Sequence, residues 1–86
     1  MTRNNKTRTT VNIYGRSYTI VGSESTSHVH HVADLVDEKM QEFHKMNKSL
    51  DTANLAVLTA VNTMNDYLKL KEEVEVLHTL LEEKEE

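Results

Sequence analysis

The 86-residue chain has no cysteine, no proline and no tryptophan, and only two glycines, Gly15 and Gly22. Without cysteine there is no disulfide framework, no thiolate nucleophile and no zinc–thiolate site, which suits a reducing compartment. With glycine this scarce there is no Gly-rich loop to cradle a phosphate. Aromatic residues make up 5% and apolar residues 37% of the chain, too few for a large core, so a monomer of this length would be marginal and burial between subunits must supply the shortfall. No apolar run reaches the roughly 20 residues that span a bilayer, and the N-terminus lacks a signal-peptide apolar region, so a cytoplasmic protein is expected. Ser, His and Asp occur without a catalytic motif, the carboxylates spread along helix faces, and the folded part is too small to enclose a pocket easily. These absences argue against an enzyme and call for no cofactor.

What is present begins with one long stretch. Asp51 to Glu86 contains no helix breaker and is dominated by Leu, Ala, Met, Lys and Glu, so it predicts a single helix roughly 50 Å long. Asp51 is a suitable N-cap. From Leu55 to Leu68 apolar residues cover more than one face, which predicts burial on several sides by the rest of the chain and a second subunit. Beyond this the pattern narrows to Tyr67, Leu70, Val74, Leu77 and Leu81, spaced 3, 4, 3, 4, the a/d seam of a coiled coil. These five are the expected oligomerisation residues.

Upstream, Met1 to Arg8 is expected as a disordered basic arm. Thr9–Tyr14 and Ser17–Val21 alternate and are rich in β-branched residues, predicting two strands joined by a turn at Gly15-Arg16. Val11 and Ile13 share one face, and Tyr18 and Ile20 are expected to face the core. Residues 27–47 place Val29, Val32, Ala33, Val36, Met40, Phe43 and Met46 at helical spacing, with Ser25 or Ser27 as N-cap. Asp34, Asp37, Glu38, Gln41 and Lys45 fall on the face expected in solvent. The fold class is therefore α+β: a small head at 9–50, made of a hairpin and an amphipathic helix, and a long helix at 51–86 that packs on the head and then forms an intersubunit coiled coil.

Charge is split along the chain. Residues 1–23 carry Arg3, Lys6, Arg8 and Arg16 and no acid, a charge of +4; residues 24–86 carry −8, which together give the net −4. The basic end can attract an acidic partner. His28, His30 and His31 cluster at the start of the first helix, and His28 and His31 can share a face as a metal pair, although no Asp or Cys stands beside them in sequence. His78 flanks the seam, where two copies could meet in a dimer and weaken assembly in mild acid.

The order of these features resembles the ZapA family of bacterial cell-division proteins. The stretch Val11-Asn12-Ile13-Tyr14-Gly15-Arg16-Ser17-Tyr18-Thr19-Ile20 looks like that family's N-terminal signature. Val32-Ala33-Asp34-Leu35 resembles its Ala-Asp segment, and Asp51-Thr52-Ala53-Asn54-Leu55-Ala56-Val57-Leu58-Thr59-Ala60-Val61-Asn62 its second-helix start. The likeness covers most of residues 9–70, and the short acidic tail is similar to the compact Gram-positive type. It implies a non-enzymatic regulator whose partner is FtsZ, the tubulin-like GTPase of the division ring at mid-cell. It further implies dimers that pair into tetramers and cross-link filaments through their heads. Carried over residue by residue, the FtsZ-binding patch would include Arg16, His44, Lys45 and Lys48. His44 departs from the family's basic pattern, and Thr19 stands where some relatives carry Arg. The alternative from another class is a small dimeric coiled-coil scaffold or nucleic-acid-binding protein using the basic hairpin, though the acidic helix makes nucleic acid a poor fit.

Overall fold

A computed structural model describes residues 6–84, in the order β1 (Thr7–Ile13), β2 (Arg16–Gly22), α1 (Thr26–Met46) and α2 (Thr52–Lys84). The first five residues of the expected arm and the final Glu85 and Glu86 lie outside the described residues. Thr7 and Arg8, expected in that arm, are part of β1 and pair with Gly22 and Val21. The two strands are antiparallel, and Ile13 pairs with Arg16. The turn is therefore Tyr14-Gly15, one residue earlier than expected, and Arg16 opens β2. Tyr14 has φ 50° and Gly15 φ 81°. Positive φ at both central residues is the type I′ geometry, whose twist matches that of paired strands.

α1 starts at Ser25, whose hydroxyl accepts from the His28 N–H at 3.2 Å, and α2 at Asp51, whose carboxylate accepts from the Asn54 N–H at 2.9 Å. Both caps satisfy donors that the first helical turn leaves without a partner. Asn47 ends α1, and its side-chain oxygen accepts from the Ser49 N–H at 3.2 Å as the chain turns back.

Val11 from β1 packs with Val29 and Ala33 from α1, and Ile13 closes that cluster. Met40 and Leu55 are buried where α1 meets α2. Thr59 is buried one turn on from Leu55, its hydroxyl donating to the Leu55 carbonyl at 2.8 Å.

Two groups of residues expected to pack stand exposed in the single chain. Tyr18 and Ile20 pair across from Val11 and Thr9, so they point to the α1 side as expected, yet they are 45% and 38% exposed. α1 lies along β1, and β2 stands one strand spacing, about 4.8 Å, further out. In α2, only Leu55 and Thr59 are buried, while Val57, Leu58, Val61, Met64 and Leu68 are exposed. α1 covers a single side of α2, and the hairpin reaches only its first turn, near Thr52 and Ala56. The radius of gyration is 17.8 Å. A compact domain of this length would have about 12 Å. One chain alone is thus an open, flat body of 54 × 49 × 16 Å with most of its long helix uncovered.

Candidate functional site

Helical register sets three sides of α1. The stripe Val29, Ala33, Val36 and Met40 lies at the centre of the packed face. Val32 and Leu35 line a groove with Thr59 and Thr63 of α2 on one flank. On the other flank stand Asp37, Gln41 and His44, at i, i+4 and i+7. The hairpin turn is seated on this second flank. The Tyr14 N–H donates to Asp37 Oδ1 at 2.6 Å, and Gln41 Nε2 donates to Asp37 Oδ2 at 2.6 Å. The Tyr14 and His44 rings meet edge to face, with centroids 6.2 Å apart.

This geometry revises the sequence expectations for the patch. Asp37 and Gln41 belong to the seat of the turn rather than to a uniformly solvated face, and Asp37 is half-buried. His44 is half-buried against Tyr14, with Nδ1 buried and without a hydrogen-bond partner. Arg16, first residue after the turn, is exposed, as are Lys45 beside His44 and Lys48 in the loop beyond α1. The turn and the last turn of α1 thus come together at one edge of the head, with Tyr14 against His44 as the contact that joins them. His44 and Lys45 also sit at a helix C-terminus, where positive charge complements the macrodipole. Thr19 points outward, its hydroxyl 3.4 Å from that of Thr10.

Sequence reasoning passed over Tyr14 and Asp37. The available signal was the X-Gly dipeptide between two alternating runs, which marks a two-residue loop and leaves a backbone N–H to satisfy.

Along α2, Tyr67, Leu70, Val74, Leu77 and Leu81 fall on one face and are all exposed, between 54% and 63%. Val57, Val61, Met64 and Leu68 form a second exposed stripe on a different side of the helix. His78 has a carboxylate within its own chain, Nδ1 lying 3.3 Å from Glu82 Oε2. His28, His30 and His31 are exposed, and among the described residues no three His, Cys or carboxylate side chains group as a metal site. Among the described residues no helix is long and apolar enough to cross a membrane.

Comparison with known proteins bears on this arrangement. The family model described as "Cell division protein ZapA" matches residues 9–86. A cell division protein ZapA from Oceanobacillus iheyensis is 59% identical over 86 residues, covering all of both chains. One from Bacillus pumilus is 56% identical over 85 residues, covering 99% of this chain and all of the relative. Among solved structures, a ZapA mutant dimer from Geobacillus stearothermophilus superposes with a TM-score of 0.77 at 52% identity and covers 95% of each chain. That likeness takes in the hairpin and both helices in the same order. On the match across nearly its whole length, the chain belongs to the ZapA family of cell-division proteins.

Proposed function

We propose that this chain is a non-enzymatic, two-headed adaptor that binds FtsZ filaments at the mid-cell division site and cross-links them. The observation that carries the reading is a division of labour within one small chain. At one end, exposed Arg16, Lys45 and Lys48 border a turn docked on α1. From the head runs a 33-residue helix whose apolar seam is exposed. Such a helix is about 50 Å long. A body this open requires a second copy, and the solved relative described as a dimer supports a homodimer. The second exposed stripe, Val57 to Leu68, gives the dimer a further apolar surface on which to pair as a tetramer. Two heads on one assembly hold neighbouring filaments by multivalency, so weak contacts at each head suffice.

The test is low-speed sedimentation of GTP-assembled FtsZ with and without the protein at modest salt. Bundling moves FtsZ into the pellet, and this protein with it. Arg16→Glu is expected to reduce the pelleted fraction while the oligomer stays intact. If neither protein pellets and the oligomer is intact, FtsZ is not the partner. Retention on duplex DNA at physiological salt would then favour a nucleic-acid-binding scaffold.

A further inference from the structure

The tip of a two-stranded hairpin is normally its most pliant part, because a lone ribbon twists and is marginal by itself. Here the hydrophobic attachment of the hairpin lies along β1, at Val11 and Ile13 against Val29 and Ala33. The tip has a separate anchor. Asp37 accepts the Tyr14 N–H through Oδ1 and the Gln41 amide through Oδ2, both at 2.6 Å. A carboxylate this close to a basic edge weakens that edge's pull on an acidic partner, so electrostatics gives no reason for it. Its use lies in the bonds it makes.

We infer that Asp37 is the positioning residue of the filament-binding edge: it pins the Tyr14-Gly15 turn to α1 and so sets where Arg16 stands relative to Lys45. The inference rests on the reading of Arg16 as an FtsZ contact. Asp37 itself touches no filament. Its negative charge is dispensable and its acceptor oxygen is not. An Asn at 37 keeps an oxygen for the Tyr14 N–H, and the Gln41 amide can rotate to accept from the new NH₂ group.

The experiment compares full-length wild type, Asp37→Ala, Asp37→Asn, Arg16→Glu and the Asp37→Ala/Arg16→Glu pair. Each is titrated in co-sedimentation with GTP-assembled FtsZ. Circular dichroism and sedimentation velocity check helicity and assembly, and amide hydrogen exchange follows Tyr14. Asp37→Ala should speed Tyr14 exchange and raise the apparent Kd about tenfold, the expected effect of losing a hydrogen bond to a charged group. Asp37→Asn should stay within about twofold of wild type on both readouts. The pair should bind no more weakly than the worse single variant, since a positioning residue that acts through Arg16 is not additive with it. Asp37→Ala binding at wild-type affinity despite fast Tyr14 exchange overturns the inference. So does Asp37→Asn losing binding as Asp37→Ala does, because the charge itself would then touch the filament. Should Asp37→Ala fail to fold, the Asn variant alone decides. Wild type that does not pellet with FtsZ defeats the functional reading as well, whereas wild type that pellets alongside an unimpaired Asp37→Ala defeats only this inference.

Discussion

Thr9 faces α1 beside Val11, is 3% exposed, and has its hydroxyl buried without a hydrogen-bond partner. A hydroxyl taken from water and left unpaired costs about 1–3 kcal/mol. Thr9→Val keeps the β-branched shape and removes the oxygen, so it is expected to raise stability by about 1 kcal/mol in urea unfolding. A loss of stability would show that the assembled protein supplies a partner for the hydroxyl. Few side chains have so determined an environment. Of the apolar residues, Val11, Val29, Ala33, Met40 and Leu55 are buried; the alternation or helical spacing of the first four was plain in the sequence, whereas Leu55 stands in a stretch whose apolar residues cover more than one face. The orphan at Thr9 was not, because pattern places a residue on a face without saying which polar groups stand opposite. His44 and Asp37 escaped for the same reason: both lie on a flank of α1, where helical period alone does not separate a solvated position from a seat for another element.

At the scale of elements, the α2 seam is the clearest prediction. Leu77 is exposed in the single chain, so Leu77→Lys removes no packing contact within a protomer. In an assembly joined through the seam it sets two ammonium groups into an apolar interface. Burying a charge without a counter-ion costs about 3–5 kcal/mol, so the oligomer is expected to dissociate in sedimentation velocity at micromolar concentration. Lys69→Glu, on a side of α2 away from both apolar stripes, is the control and should leave assembly unchanged. A Leu77→Lys protein that sediments like wild type would remove the seam from the interface. The helices themselves were legible to within one or two residues, because breakers are scarce and both caps, Ser25 and Asp51, are residues whose side chains accept a hydrogen bond. The turn was read one residue late. A tyrosine at φ 50° is uncommon, and neither Asn-Gly nor Asp-Gly marked the loop. Tyr18 and Ile20 take the expected face yet stay partly exposed in the single chain, since a helix laid along one strand does not shelter its neighbour.

For the whole molecule, the two functions proposed for its two ends should differ in their response to salt. The seam is apolar, and its contribution does not weaken as ions are added. The head's edge is exposed charge, where each pair is worth about 0–1 kcal/mol and is screened. The Debye length falls from about 10 Å at 0.1 M to about 3 Å at 1 M. The charge split sharpens the contrast, with +4 on residues 1–23 and −8 on the remainder. An acidic partner would be drawn to the first part and held off by most of the second, so its orientation would be electrostatic. Raising NaCl from about 0.05 to about 0.5 M should therefore abolish FtsZ bundling while the oligomer's sedimentation coefficient holds. Because two heads act together, the loss should be steeper than for one head binding alone. If bundling persists at half-molar salt, the contact is apolar, and the exposed Tyr18 and Ile20 face becomes the surface to mutate. If the oligomer dissociates first, charge rather than the seam holds the copies together, and the separation of labour between head and helix fails.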